Sequence, residues 1–187
     1  LDNPFVWFKD SENLLVKVLP KNRPALLDAS KDLPTGAIIS NADGSVSQNR
    51  TYPDLLKNRN DEINFENIAS SELHKVHVSG TSTLWKKADM YAGESFSPDG
   101  KLLMLTTIQK PFSYIVPINR FPSKTIITDI AGKPIKTVNE VPLTETMPKG
   151  FSATREGKRN MNWRADKPAS LTYVVALDGG NTKKKVD

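Results

Sequence analysis

Short apolar runs separated by turn residues follow one another along the chain, and this pattern predicts β-strands rather than helices. The clearest run is 102–108, which is rich in strand-forming residues and follows a turn made by Pro98, Asp99 and Gly100. Pro98 presets φ, Asp99 can bond its own backbone, and Gly100 accepts a positive φ. A preceding strand ends at Phe96. Such a turn between two strands is typical of a β-propeller blade.

An aromatic residue, two spacers and an aspartate occur three times, each time before an apolar run. The three segments begin at Trp7, Phe96 and Trp163, so their starts are 89 and 67 residues apart. Propeller blades usually run about 40–50 residues. We therefore expect blades that carry insertions, or a further blade with a weaker signal between them. In each segment the aromatic residue closes one strand, and the aspartate, such as Asp166, shapes the next turn.

Other short runs predict further strands at 73–78, 113–117, 125–129, 134–138 and 173–177. The first of these alternates apolar and polar residues, as a half-buried strand does. The run at 134–138 is expected to pair back on 125–129 as a hairpin. The thirteen prolines fit loops and strand ends and argue against long helices.

One segment, 53–68, predicts a short helical insertion between strands. Pro53 suits the first position of a helix, and Asp54 is favourable near the positive helix end. Asn60 fits the cap of a second short helix with acidic residues in its first turn. The predicted fold class is therefore all-β: an incomplete β-propeller of a few four-stranded antiparallel blades, with a short helical insertion near 53–68.

Composition narrows the class of protein. The 187 residues are 37% hydrophobic and 25% charged, which allows a hydrophobic core. No run approaches the roughly 18 apolar residues that a membrane span needs, so no membrane partner is expected. The chain opens without methionine and without a recognisable signal peptide, so we expect an excised piece of a longer protein. The absence of cysteine excludes disulfides and thiol catalysis but leaves secretion open, and a bacterial parent could be periplasmic or secreted.

The net charge of +5 does not by itself predict nucleic-acid binding. The lysines are scattered, and the run 183–185 fits a solvated turn or frayed end. Nucleic-acid binding typically uses clustered basic residues interleaved with exposed aromatic ones, and this chain has no such cluster. We expect no nucleic-acid partner.

No residue set in the sequence predicts catalysis, a metal or a cofactor. Ser95 lies in a stretch that superficially resembles the nucleophile elbow Gly-x-Ser-x-Gly, but the final glycine is missing and the serine precedes a strand turn. Neither His74 nor His77 has a nearby candidate serine in an elbow. On a strand, residues three apart point to opposite faces, so the two histidines do not predict a shared metal. No phosphate loop or calcium loop occurs.

The candidate binding residues are arginines in or beside loops, namely Arg120, Arg155, Arg159 and Arg164. A guanidinium in such a position can hold a carboxylate through two parallel hydrogen bonds. The alternative is a role in surface solubility or in an internal salt bridge. The sequence leaves both open.

A series of phrases carries a family resemblance. In chain order they are Arg50-Thr-Tyr-Pro-Asp-Leu-Leu-Lys-Asn58, Asp61-Glu62, Phe65, Ser97-Pro-Asp-Gly100, Pro111-Phe-Ser-Tyr-Ile-Val-Pro117, Arg120-Phe-Pro122, Trp163-Arg-Ala-Asp166 and Ala176-Leu-Asp-Gly-Gly180. Together they resemble the β-propeller region of the prolyl oligopeptidase family of serine peptidases, in its glutamyl-endopeptidase, acylaminoacyl-peptidase-like branch. The resemblance runs from about Trp7 to the end. The first and fifth phrases are specific, whereas Ser-Pro-Asp-Gly is shared by many propellers and 151–155 matches only loosely.

The resemblance implies a two-domain parent in which a propeller restricts entry to a C-terminal α/β-hydrolase domain. Residues 1–187 would then be a partial propeller that lacks the hydrolase domain and its Ser-Asp-His triad, so no catalytic residue is placed in this chain. The implied function is substrate gating, and the implied partners are the hydrolase domain and peptide substrates. Cleavage after glutamate would need a cation near the pocket, and Arg120 and Arg155 are the candidate substrate-binding residues.

Two alternative functions remain open at this point. One is a stand-alone propeller-like module that binds a protein or peptide; the other is an enzyme in its own right, which would need a nucleophile and base that the sequence does not offer. A fragment of a propeller would have open strand edges at both cut ends, and exposed edges recruit other strands. We therefore expect edge-to-edge self-association, aggregation, or sheets that curl onto one another.

Overall fold

The computed structural model describes residues 4–28, 52–148 and 152–185. The strands in these ranges are β1 Phe5–Trp7, β2 Asn13–Val18, β3 Ser71–His77, β4 Ser82–Asp89, β5 Tyr91–Phe96, β6 Leu102–Ile108, β7 Ser123–Asp129, β8 Pro134–Val141, β9 Arg159–Trp163 and β10 Leu171–Val174. One α-helix, α1, spans Arg59–Ala69, and a 3-10 turn spans Ile118–Arg120. The predicted all-β class with a short helical insertion is confirmed.

The strands form three antiparallel sheets in chain order, β1–β4, β5–β8 and β9–β10. The chain passes from the last strand of the first sheet to the first strand of the second through the single residue Met90. This arrangement is consistent with an incomplete propeller-like fold. The predicted insertions explain the spacing of the repeats, because the connection between β2 and β3 alone runs from 19 to 70.

The first strands of the three sheets are joined by the aromatic repeats. The rings of Phe8 and Phe96 lie 4.7 Å apart, and Trp163 Nε1 donates to the carbonyl oxygen of Ser95 at 3.0 Å. In the first repeat the predicted aromatic, Trp7, is 51% exposed, and its neighbour Phe8 makes the contact instead. The repeated motif therefore closes each strand and also ties each sheet to the next.

The main core lies between the first two sheets and is built from alternate residues of their strands. Its buried members are Phe8, Leu15, Leu73, Tyr91, Leu103 and Leu105. In β6 buried and partly buried residues alternate, because successive side chains of a strand point to opposite faces. Trp85 adds a second contact between the sheets, since its Nε1 donates to the carbonyl oxygen of Ile130 in the β7–β8 turn at 3.0 Å.

A second cluster packs α1 against the second sheet. The ring of Phe65 meets those of Phe112 and Phe121 edge-on, with centroids 5.0 and 5.7 Å apart. Such edge-to-face pairs contribute about 0.5–1.5 kcal/mol each beyond the area they bury. The cluster comprises Met90, Phe112, Val116 and Phe121, with Leu56, Phe65, Ala69, Ile108 and Leu143 against it.

No helix begins at Pro53, and the second predicted helix begins two residues earlier than predicted, because its cap is Asn58 and not Asn60. Asn58 Oδ1 accepts from the backbone N–H of Asp61 at 3.0 Å, so Asn58 caps α1 and Asn60 lies within it. An extended residue with a side-chain oxygen satisfies one of the free amides of the first turn, which is why the helix starts there. Pro53 lies outside the helix. The prediction of acidic residues in the first turn is confirmed.

The predicted strand at 113–117 is wrong, and the segment is irregular. Phe112 and Val116 are buried in the second cluster, whereas Ile115 is 61% exposed. A loop that buries spaced apolar residues in this way mimics the apolar run of a strand. The run at 173–177 is a strand only as far as Val174, and β4 was not predicted at all.

The two ends of the sheets differ in the length of their connections. Because neighbouring strands are antiparallel, connections fall alternately at opposite ends. The end that we call the turn end carries the short connections 8–12, 78–81, 97–101, 130–133 and 164–170. The end that we call the loop end carries 19–70, 109–122 and 142–158, together with the segment after β10.

Candidate functional site

The first strands of all three sheets border one groove, which we call the inner groove. It has a volume of about 440 Å³ and is lined by Val6, Ala92, Gly93, Glu94, Ser95, Met104, Thr106 and Met161. Val6 comes from β1, and Met161 comes from β9. The wall mixes methyl, thioether, hydroxyl and carboxylate groups, so it can contact a peptide through both apolar and polar atoms.

An ion pair fixes the wall of the inner groove between the first two sheets. Lys17 Nζ lies 3.0 Å from Glu94 Oε1, and the two side chains are only 18% and 4% exposed. Removing one member of such a pair leaves a buried charge without its partner, which is strongly destabilising. The pair therefore ties β2 of the first sheet to Glu94 in the groove wall.

Ser95 lies within β5, opposite Met104 of β6, and not in a strand-to-helix elbow. Its carbonyl oxygen accepts the hydrogen bond from the Trp163 indole N–H, and Ser95 is one of the residues that line the inner groove. The two described histidines bond to other serines, Ser82 and Ser79. The geometry therefore gives Ser95 a place in the groove wall and no base.

His74 has a serine neighbour that the sequence analysis missed. His74 Nδ1 lies 3.0 Å from Ser82 Oγ, and Nε2 lies 3.0 Å from Glu72 Oε2. In serine hydrolases the nitrogen that faces the serine is Nε2 and the acid faces Nδ1, so this order is reversed. Ser82 is also exposed at the start of β4. The register of the β3–β4 hairpin would have revealed the contact, but β4 was not predicted.

The prediction that His74 and His77 lie on one strand is confirmed, because both belong to β3. His77 Nδ1 lies 2.8 Å from Ser79 Oγ in the following turn. Within 4–28, 52–148 and 152–185, no group of three or more histidine, aspartate or glutamate side chains is placed to hold a metal ion. In the same ranges, no helix is long and apolar enough to cross a membrane.

Arg120 lies at the loop end, at the last position of the 3-10 turn. Its guanidinium carbon is 5.5 Å from the ring centroid of Tyr52, which is a cation–π distance. Its carbonyl oxygen accepts from the backbone N–H of Thr144 at 3.0 Å. Arg120 therefore links the first half of the loop end to the segment that follows β8.

Arg155 also lies at the loop end, in the wall of a second cavity, which we call the arginine cavity. The cavity has a volume of about 290 Å³ and is lined by Val141, Pro142, Leu143, Thr144, Thr146, Pro148, Arg155, Glu156 and Gly179. Arg155 Nη1 donates to the carbonyl oxygen of Glu156 at 3.0 Å, and Nη2 donates to that of Lys158. These bonds hold the guanidinium at the cavity wall.

Arg159, at the start of β9, lies close enough to Arg155 for the two charges to interact. Burial lowers the pKa of the Arg155 guanidinium from its usual value, and the positive charge of Arg159 lowers it further. Arg159 Nε is buried and has no hydrogen-bond partner among the described residues. The structure thus brings together two of the four candidate arginines.

Arg164 belongs to the opposite, turn end of the third sheet. Its Nε donates to Asp166 Oδ1 at 2.9 Å, and its Nη2 donates to the other oxygen of the same carboxylate. This bond lowers the pKa of Asp166. For Arg164 the internal salt bridge is therefore the correct interpretation. Asp99 is the turn-forming residue that was predicted, since its Oδ1 accepts from the backbone N–H of Lys101 at 3.1 Å.

The chain is similar to two curated plant proteins, both named probable glutamyl endopeptidase, chloroplastic. The protein from Oryza sativa subsp. japonica is 39% identical over 183 residues, and the one from Arabidopsis thaliana is 36% identical over 184 residues. Each match covers 97% of this chain but 19% of the relative, so the chain spans about a fifth of their length. No family model matches the chain, and no solved structure matches it.

Proposed function

We propose that this chain is a non-catalytic, substrate-gating propeller segment of a serine peptidase that cleaves peptides, with glutamate as the preferred residue at the cleavage point. The similarity to two probable glutamyl endopeptidases over 97% of the chain supports this proposal. In it, residues 1–187 belong to a longer two-domain protein of the prolyl oligopeptidase family. A C-terminal α/β-hydrolase domain is then the partner of this segment and supplies the triad.

The inner groove is the observation that carries the gating role. Three sheets turn their first strands toward the same space, and Val6 and Met161, which lie in different sheets, line it together. A channel wall of this kind admits an extended chain and excludes a folded one by its width. The buried Lys17–Glu94 pair holds the first sheet against this wall. Gating in this proposal is steric, and it needs no reactive residue in the segment.

Substrate contact is assigned to loop-end arginines in this proposal. Arg120 and Arg155 lie on the same end of the sheets, and both adjoin the segment that contains Thr144. Their guanidinium groups suit the carboxylate of a glutamate side chain. A hydrolase domain that packed near the loop end would place these cations beside its substrate.

The experiment narrows the inner groove in the full-length parent peptidase. Gly93 lines the groove and an added Cβ there meets no atom within 4 Å, so we expect the ring of Gly93→Trp to enter the groove. Thr137→Trp, on an exposed position of β8, is the matched control. We expect Gly93→Trp to lower kcat/KM for ten-residue peptides at least several-fold more than for a single-residue chromogenic glutamyl substrate.

An equal fall for both substrates, or none, would contradict the gating role. A reading frame that ends near Asp187 without a hydrolase domain would contradict the peptidase proposal itself. The second candidate function is then a stand-alone peptide-binding module, which the presence of the arginine cavity within this chain favours. The open edge of the two-stranded sheet would in that case offer a route to self-association.

A further inference from the structure

Arg155 and Arg159 are two neighbouring cations that have no carboxylate partner among the described residues. Among the described residues neither forms an ion pair, although Lys17, Arg59 and Arg164 all do. Arg155 uses two of its donors on backbone carbonyl oxygens. Arg159 Nε is buried without a partner. A buried polar donor without a partner is costly and calls for an explanation, such as a ligand that the site is built to hold.

The electrostatics of this pair favour an anion. Loss of water around Arg155 and the charge of Arg159 both lower the pKa of Arg155, so its charged form is less stable than that of an exposed arginine. The charge of an anion between or beside the two groups would offset both costs. An anion would therefore stabilise this pair more than it would stabilise an exposed surface arginine.

The cavity beside Arg155 is held in shape by a backbone clamp. The N–H of Thr154 donates to the carbonyl oxygen of Gly180 at 3.0 Å, and the N–H of Gly180 donates to Asp178 Oδ1 at 2.8 Å. A Cβ at Gly180 would lie 2.0 Å from the Thr154 carbonyl oxygen, so only glycine allows this close approach. A site that is shaped before it binds loses less entropy when a ligand enters.

We propose that the arginine cavity binds a carboxylate, which the Arg155 guanidinium holds while Arg159 supplies a second positive charge. The planar fork of arginine matches the two oxygens of a carboxylate. A volume of about 290 Å³ has room for one short side chain or a chain end. The lining shares no residue with that of the inner groove, so this is a separate site. That the carboxylate belongs to a peptide rests on the proposed function.

The carboxylate could be that of a glutamate side chain or that of a peptide C-terminus, and three peptides distinguish these two sources. The probes are acetyl-Ala-Glu-Ala-amide, which has only a side-chain carboxylate, acetyl-Ala-Gln-Ala, which has only a terminal one, and acetyl-Ala-Gln-Ala-amide, which has neither. Binding to the 187-residue chain is followed by titration with NMR detection of its backbone amides. We expect at least one carboxylate peptide to bind with a Kd in the millimolar range, about tenfold or more tighter than the neutral peptide.

Three substitutions assign the binding to the cavity. Arg155→Gln should weaken the carboxylate peptide about tenfold and abolish its advantage over the neutral peptide. Arg159→Gln, which removes no hydrogen bond found among the described residues, should weaken it several-fold. Glu156→Gln should strengthen it, because Glu156 lines the same cavity and its charge repels the ligand. Arg164→Gln, at the turn end, is the control and should leave the affinity unchanged.

Equal affinity for all three peptides overturns the proposal, and so does an unchanged Kd in the Arg159→Gln variant. If Arg155→Gln fails to fold, the Arg159→Gln and Glu156→Gln variants still decide the matter, since the proposal requires opposite changes in affinity. These results do not depend on peptidase activity. A chain that binds the peptides normally but belongs to no peptidase would contradict the proposed function and leave this site intact.

Discussion

The turn end and the loop end of the sheets are built by different kinds of interaction. At the turn end the hydrogen bonds of the aspartate side chains are local: Asp10 Oδ1 accepts from the backbone N–H of Asn13 at 2.9 Å, and Asp129 Oδ1 accepts from that of Lys133 at 2.9 Å. At the loop end the partners are distant in sequence, as in the bond from Ser113 Oγ to Glu145 Oε1 at 2.7 Å. Each aspartate turn of the turn end can therefore form by itself, although bonds such as that from the backbone N–H of Asp99 to the Pro168 carbonyl oxygen join one sheet to the next. The loop end depends on the assembled fold.

The same contrast separates structure from candidate function. At the turn end carboxylates find donors, and their pKa values are lowered by hydrogen bonds, as for Asp10 and Asp99. At the loop end the guanidinium of Arg155 is poorly solvated and its pKa is lowered by burial. Charges that are satisfied by their own turn stabilise the fold. Cations that have no carboxylate partner among the described residues are available to an anionic ligand, and Arg120 and Arg155, the two candidate substrate-binding residues, lie at the loop end.

The largest loss of unfolding free energy is expected from Phe121→Ala, which removes a ring that packs between α1 and the β6–β7 loop. Phe121 is 5% exposed, and truncating a buried phenylalanine costs about 3–5 kcal/mol of unfolding free energy. Because the cluster belongs to the loop end, hydrogen exchange should show lost protection in α1 before β6 opens. Urea titration measures the total loss of unfolding free energy. Ile115→Ala, at a 61% exposed position of the same loop, is the control. Equal loss of protection in both sheets would show that the two ends are not independent.

A smaller loss of unfolding free energy is expected when glycine is replaced by alanine at three positions, two at the turn end and one at the loop end. Gly80, Gly100 and Gly180 all have positive φ, so alanine at each costs about 1–2 kcal/mol from strain. At Gly80 the new methyl group meets nothing within 4 Å, and at Gly100 it meets the side chain of Lys9. At Gly180 it meets the Thr154 carbonyl oxygen, so the backbone must move, which adds about 1–3 kcal/mol.

Urea denaturation of the three glycine variants should therefore rank them with Gly180→Ala as the least stable. Displacement of Thr154 should also shift the neighbouring Arg155, so this variant should lose affinity for the carboxylate peptide while Gly80→Ala keeps it. Equal stabilities for the three variants would mean that the clamp yields easily. In that case the arginine cavity would not be shaped before binding.

The elements that were predicted correctly are those determined by residues close together in sequence. The turn at 97–101, the hairpin between β7 and β8 and the helix with an acidic first turn all follow from residues a few positions apart. The aromatic repeats predicted where strands end. They did not predict that Phe8 rather than Trp7 makes the first contact, because that depends on which face of β1 meets the second sheet.

The candidate site was only partly predictable, because it depends on distant contacts. Arg155 and Arg159 were both named, but their proximity and the missing carboxylate could not be read from spacing. Arg164 looked equivalent in sequence, yet an aspartate two residues away bonds it. That local signal, Arg-x-Asp in a turn, could have set Arg164 apart. The run 113–117 was wrongly predicted to be a strand because it is locally apolar, whereas Phe112 and Val116 pack into the second cluster and Ile115 is exposed.

The smallest expected effect is a pH dependence that belongs to the turn end. The pKa of Asp99 is lowered chiefly by the hydrogen bond from Ser97 Oγ and then by the backbone N–H of Lys101. A carboxyl group whose pKa is lower in the folded state stabilises the fold above its unfolded pKa of about 3.9. That stability is lost as the pH falls through the folded value. Unfolding by urea should therefore become easier as the pH falls below about 4.

Asp99→Asn tests this assignment, because the amide oxygen can still accept both hydrogen bonds but carries no charge. We expect the variant to be less stable than the parent chain at pH 7 and to lose less stability between pH 5 and pH 3. NMR titration of the Asp99 carboxyl carbon should give a midpoint below the usual 3.9 or so. A variant with the full pH dependence of the parent chain would move the acid-sensitive groups away from this turn. The acid sensitivity would then belong to the other turn-end carboxylates with lowered pKa values, Asp10 and Asp166.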